Sequence, residues 1–367
     1  MLKHSPQLCG LAENPSLPAS LLARFVELAD EELSWDLSRR DDLSPAQISV
    51  LAARAPVVDR DPEVTPPERD PGTLPAVLVE LSRRNDVDID AGLAGNPATP
   101  AEVLARLVAH PAEWVRWQLV HRHDLPEWAY ERLATDAMPG IRWDTATNPA
   151  VPAWLQRRMA ADDTSREMHR RLAQNPAIPL DLLVSIAGMV RIGPTKLPRI
   201  ANATDDELRQ LATSRIMQVR MLVAEREELP DDLITLLVDD HDPGVAKSIV
   251  TNPALTAEQM WDLVTRHGSR LYPRAARNPH CPPDLMRHIA RNAQSVQKAY
   301  RVIARHPRAE ADMLLLCLRD PDARRHVARH PNLPAATIVE LLADPHTAEA
   351  AAANPALPAA VMAELLV

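Results

Sequence analysis

Proline recurs along this chain at a spacing that leaves few folds open. Asn-Pro stands at Asn14-Pro15, Asn96-Pro97, Asn148-Pro149, Asn175-Pro176, Asn252-Pro253, Asn278-Pro279 and Asn354-Pro355. His-Pro takes the same place at His306-Pro307 and His330-Pro331. A second Pro often follows three residues later. Used as a register mark, it falls at Pro18, Pro45, Pro75, Pro100, Pro126, Pro152, Pro179, Pro230, Pro282, Pro334 and Pro358. Asp205, Thr256 and Glu310 fill the remaining register positions, giving about 14 units of 24–30 residues, mostly 26. A fixed period of this size is the mark of a repeat array.

Each unit reads as two short helices. After the register position, apolar residues fall at +3, +4, +7 and +8, as in Val103, Leu104, Leu107 and Val108, which is a helical stripe. Pro suits the first helical position because that N–H has no intrahelical partner. Thr99 with Glu102, Ser44 with Gln47 and Thr204 with Glu207 have capping-box spacing. A further Pro, as at Pro111, Pro243, Pro321 and Pro345, opens a second helix. Asn-Pro then ends it, since a residue before Pro is driven out of the α region. These positions explain why there are 35 Pro and only 9 Gly: the helices end at Asn-Pro turns and not at glycine caps.

The pattern V-R-x-x-V-A-x-N-P-x-L-P-x-x-L-L-x-x-L-x-x-D is clearest at residues 141–162, 219–240 and 323–344. It resembles the leucine-rich repeat variant family, over essentially residues 5–367. The resemblance implies an all-α fold, a right-handed α-solenoid superhelix of α-helices alternating with short α or 3₁₀ helices. The whole of 1–367 is expected to be one array, with loops or altered repeats at 56–74 and 187–200. The family includes a member with an N-terminal cysteine cluster holding iron and sulfur. Here only Cys9 lies near that end, so no cluster and no cofactor is expected.

Composition excludes several functions. The formal net charge of −9 argues against a globally basic nucleic-acid binder. Three separated cysteines imply no disulfide framework, and no segment has the apolar length of a membrane span or the h-region of a signal, so the cytoplasm is the expected compartment. Glycine-rich phosphate loops and common catalytic signatures are missing. His121, His123, His280 and Cys281 have no partners at zinc spacing, so no metal site is expected.

The second helices carry the candidate site. Positions seven, three and two before the turn residue are small and apolar and read as core. Positions six to four before it hold a basic stripe with aromatics, expected to face outward. Its residues are Trp35, Arg116, Trp117, Arg142, Trp143, His169, Arg170, Arg220, Lys247, Arg301 and Arg325. Trp117 and Trp143, each beside an Arg, have the composition of interface anchors. Trp128 and Trp154, two past the register Pro, read as core fillers.

These features point to a non-catalytic scaffold that binds a protein or peptide with acidic groups along its inner face. Nucleic-acid binding stays open as the alternative, because Arg142-Trp143-Asp144 is similar by analogy to the groove of HEAT-like DNA glycosylases, with the repair activity that would imply. No membrane partner is expected.

Overall fold

The computed structural model describes residues 5–52, 68–188 and 196–366. Among these residues every regular element is a helix, so the fold is an all-α repeat array, and no helix is long and apolar enough to cross a membrane. The chain divides into two compact units, one of Met1–Asp59 with Val250–Val367 and one of Arg60–Ile249.

In the second of these, Ala101–Leu107 is followed by Glu113–Leu119, while Glu127–Ala134 packs on Pro139–Thr147 and Ala153–Asp162 on Arg166–Gln174. Val103, Leu104, Leu107 and Val108 are buried on the first helix, and Val115, Leu119 and Val120 on the second. At roughly 1.5–3 kcal/mol for each large apolar side chain removed from water, these stripes supply the main force holding helix to helix. The equivalent residues Val219, Val223 and Ala224, and Ala323, Val327 and Ala328 in the other unit, are buried in the same way.

Neighbouring repeats are joined by the turn asparagines. Asn148 Nδ2 donates to the carbonyls of Val120 at 2.8 Å and Arg122 at 2.7 Å, and Asn175 Nδ2 to those of Ala146 at 2.9 Å and Asn148 at 2.8 Å. Those carbonyls lie at the end of the preceding repeat's second helix, where the last C=O groups have no intrahelical donor. The same asparagines accept from the N–H two residues on, Ala150 and Ala177. The proline that follows holds Asn148 extended, at φ −74 and ψ 123, and brings no N–H of its own. Asn96, Asn278 and Asn354 repeat this geometry.

Other side chains take the same place. Arg122 donates to Asn96 O at 2.5 Å while Asp124 grips its guanidinium, and Arg40 with Asp42 does likewise on Ala12 O and Asn14 O. His306 Nε2 lies 3.1 Å from Asn278 O and His330 Nε2 3.0 Å from His306 O, and their Nδ1 atoms accept from Arg308 and Asn332 N–H. With Nδ1 accepting from the turn N–H, Nε2 is the ring nitrogen that faces the carbonyl as donor.

The ladder also joins the two ends of the chain. Asn14 Nδ2 donates to Ala352 O and Asn354 O, at 2.8 Å each, so the last repeat's carbonyls are covered by the first. Gly10, in helix Pro6–Ala12, permits this approach, since a Cβ there would stand 2.0 Å from Glu349 O.

Some expectations need correction. The register Pro is usually the residue before the helix, as with Pro100 and Pro152, whose φ near −60 and extended ψ turn the chain into it; Pro75 is helical as expected. Thr204 with Glu207 forms its capping box, and Ser44 with Gln47 makes the same reciprocal bonds. Thr99 instead turns back to Leu93 O, because Pro100 has taken the cap position. Of residues 56–74, those up to 67 lie outside the described residues. Asp70 belongs to a regular turn, its carboxylate accepting from Gly72 N–H and its carbonyl from Asn96. Residues 189–195 are also outside them, and Pro198–Ala201 is a shortened second helix.

Replacing Asn148 by Ala strands the buried Val120 carbonyl and one N–H, and leaves the Arg122 carbonyl only its bond from the Tyr130 hydroxyl. It should cost about 2–4 kcal/mol in urea unfolding followed by tryptophan fluorescence. A loss below 0.5 kcal/mol would deny the ladder its structural role. The ladder also sets a pH dependence. Burial lowers the His306 pKa from the ordinary 6.5, ahead of the opposing bond to Asn278 O. The unfolded chain then binds the extra proton, so this contribution is complete above pH 6.5 and is lost as pH falls below it. Melting temperature should drop more steeply from pH 7.5 to 5 in wild type than in His306→Asn.

Candidate functional site

The arginines six before the turn are staples between repeats. Arg116 donates from Nε and Nη2 to Asp136 at 2.7 and 2.9 Å, and from Nη1 to His110 O at 2.6 Å. Arg220 binds Asp240 at 2.6 and 3.2 Å and Ser214 O at 2.9 Å. Arg142 reaches Asp136 O and Ala137 O. In the two carboxylate pairs both side chains are largely shielded from water. Burial opposes the charge of Asp136 and Asp240, but the arginine bonds and a backbone N–H to each outweigh it and hold both below the usual carboxylate range. Guanidinium geometry explains the choice of residue, since one planar fork serves a loop carbonyl of its own repeat and a carboxylate of the next.

The rest of the expected stripe disperses. His169 is 2% exposed, so it belongs to the core and not to a partner-facing surface. Arg170 is exposed with Glu167 3.6 Å away, Lys247 is exposed, and Arg325 pairs with Glu349 at 2.9 Å. Arg301 is tied to Asp320 at 2.9 Å and Asp322 at 2.6 Å. The Trp35 side chain lies outside the described residues. Trp117 and Trp143 are half-buried, the first against Gly140 of the next repeat and the second with Nε1 3.4 Å from Asp163. The exposed tryptophans are Trp114, Trp128 and Trp154, at 41–44%. The expected assignment of Trp128 and Trp154 to the core is thus reversed: their position just inside the first helix leaves the ring on its outer side. Asp144 of the glycosylase-like triplet is held by Arg171 at 2.7 Å.

What the fold does assemble is a cationic cleft of about 700 Å³ in the unit of Met1–Asp59 with Val250–Val367. Arg277, Lys298, Arg301 and Arg305 line it, with Ala276, Val302, Pro279, Pro307 and the ladder residue His306 as walls and no carboxylate. Helices Tyr272–Ala275 and Lys298–Ile303 position these groups, while Tyr272 and Tyr300 turn inward and are buried at 7% and 2%. Arg301 is neutralised by its two aspartates. Arg277, Lys298 and Arg305 have no carboxylate partner among the described residues, and Arg305 Nη2 instead meets His326 Nε2 at 2.5 Å. A second cleft, near Arg142, mixes Arg158 with Asp136, Asp162 and Asp163, and a third near Lys196 includes three glutamates.

The sequence holds a signal for the cationic cleft that the stripe overlooked. Arg stands immediately before the turn residue in three successive repeats, at Arg277, Arg305 and Arg329. Residues 266–329 carry 14 Lys and Arg against five Asp and Glu, an excess that the net charge of −9 conceals.

Reactive groups are held quiet. Burial pushes the Cys281 and Cys317 thiols up to about 12, and burial with the charges of Asp36 and Glu349 takes Cys9 to about 11, so none is a thiolate at neutral pH. Among the described residues no group of three His, Cys, Asp or Glu is placed to hold a metal ion.

Residues 323–346 match the leucine rich repeat variant family model. The match covers one repeat unit of the chain, which is similar to that family's repeat. That unit contains His330 and the register Pro334, and its ladder bonds to His306 O and from Asn354 are those of the other repeats. No curated protein matches the chain. Among solved structures, the crystal structure of an engineered protein aligns at 17% identity over 94% of this chain and 93% of that one, with a TM-score of 0.24.

The contact between repeats at Trp117 is testable. A Cβ on Gly140 would stand 2.7 Å from Trp117 Cη2. Gly140→Val should therefore destabilise by about 1–3 kcal/mol, and the cost should shrink when combined with Trp117→Ala, in a double-mutant cycle read by urea unfolding. Additive costs would mean the two residues do not share a packing site.

Proposed function

We propose that this chain is a non-catalytic repeat scaffold that binds an acidic segment of a protein partner in the cleft between Ala276 and Pro307. The observation that supports the reading is the trio Arg277, Lys298 and Arg305, three cations without carboxylate partners among the described residues, lining one concave site. Together they favour an anionic guest that the mixed clefts of the other unit would not. The apolar walls Ala276, Val302, Pro279 and Pro307 suit the aliphatic parts of a peptide. Single-stranded nucleic acid fits less well, because base binding relies on exposed aromatic faces and the two tyrosines of this region are buried. Quiet thiols and an Asp144 bound by Arg171 support a role without catalysis. The cytoplasm, where free cysteines persist, is the setting proposed.

The test is retention of a degenerate pool of Asp/Glu-rich peptides by the full chain. The triple variant Arg277→Ala/Lys298→Ala/Arg305→Ala should weaken retention on the order of tenfold, since exposed charge pairs each contribute roughly 0.2–1 kcal/mol. Binding should also decline between about 50 and 200 mM salt through screening. Equal retention by wild type and variant would remove the cleft from the reading.

A further inference from the structure

We infer that the group this cleft takes is a phosphate monoester on the partner, a phosphoserine or phosphothreonine in an extended segment, and this rests on the acidic-partner reading above. The chain contains its own comparison. Arg277, Arg305 and Arg329 occupy the same register position, one residue before the turn, in three successive repeats. Arg329 is satisfied by a single carboxylate, Glu13 at 2.7 Å. Arg301, deeper in the cleft, takes two, from Asp320 and Asp322. The fold thus supplies carboxylates to cations of this face where it needs them, and among the described residues it leaves Arg277, Arg305 and Lys298 without one.

Three uncompensated positive charges around one cleft repel each other, and one carboxylate of charge −1 leaves two of them unmatched. A phosphate monoester carries about −1.5 to −2 with three strong acceptor oxygens. It can accept two planar guanidinium forks and one ammonium at once. The side chains bearing these charges are exposed and so free to close on it. Among the described residues the Arg305 guanidinium bonds to an imidazole nitrogen, His326 Nε2, and not to a carboxylate, and it can exchange that bond for a charged one. The apolar walls leave room for aliphatic residues on either side of the phosphorylated position, and the buried Tyr272 and Tyr300 offer no face for a nucleobase.

The experiment compares three degenerate peptide pools, identical except for phosphoserine, glutamate or serine at a fixed central position, binding to the immobilised full chain. The phosphoserine pool should be retained at least tenfold more than the glutamate pool. Arg277→Ala/Arg305→Ala should abolish that preference, and Arg329→Ala should leave it intact. Equal retention of the phosphoserine and glutamate pools, both above serine, would overturn the phosphate assignment and leave the acidic-partner reading standing. No retention of either would overturn both. A stronger capture of a 5′-phosphorylated single-stranded oligonucleotide in parallel would do the same. Inorganic phosphate provides a readout independent of peptide sequence: it should raise the melting temperature of wild type and of Arg329→Ala, but not of the double variant, whose melting in phosphate-free buffer shows that it folds.

Discussion

The fold depends on one side-chain amide used twice. At Asn14, Asn96, Asn148, Asn175, Asn278 and Asn354 the turn asparagine gives both Nδ2 protons to carbonyls at the end of the adjoining repeat, and its Oδ1 takes the N–H of its own turn. A helix as short as seven residues leaves more than half of its carbonyls without an internal donor. In this chain the next repeat supplies part of what is missing. No helix is then stable alone, and each repeat is completed by its successor. This is why the array tolerates so little glycine: the turn needs an extended residue before Pro, not a left-handed one.

The same dependence explains the arginine that follows the small apolar residue in so many repeats. It faces the seam between repeats, where loop carbonyls of one and an aspartate of the next come together. Asp136 serves both Arg116, through its carboxylate, and Arg142, through its carbonyl. A buried ion pair of this kind is weak evidence for net stability but strongly penalises loss of one partner. Its use here is to fix register, much as the asparagines do on the turn side. Recurrence at matched positions is therefore a consequence of stacking, and most of the basic stripe is mortar between repeats.

Function is left to the side chains that the stacking does not consume. At the position just before the turn the backbone is already satisfied and the side chain projects from the seam. There the residue varies freely: Glu13, Gln174 and Thr147 in some repeats, Arg277, Arg305 and Arg329 in others. A block of arginines at this position costs the fold little and concentrates positive charge that the neighbouring aspartates only partly offset.

Most of the helix boundaries were legible in the proline and asparagine spacing, because a residue before Pro is disfavoured in a helix and a 26-residue period cannot bury its apolar stripe without neighbours. The helix pairs, the core positions and the substitution of His306 and His330 for asparagine all follow from the linear order of residues. The candidate site was only partly legible. Arg301, Arg116, Arg142 and Arg220 were all among the residues expected to bind and were not distinguishable from one another, since Arg301 stands five before its turn residue and the other three stand six before theirs. Which guanidinium meets a carboxylate depends on aspartates 19 or 20 residues ahead, brought close only by stacking. The two pairs of tryptophans show the same limit: position in the repeat set which helix they occupy, but the facing residue, Gly140 for Trp117 and solvent for Trp128, decided their burial. The sequence determined where helices begin and end, a matter of local backbone sterics. The tertiary structure decided which charges remain unpaired, because pairing is a property of neighbours in space.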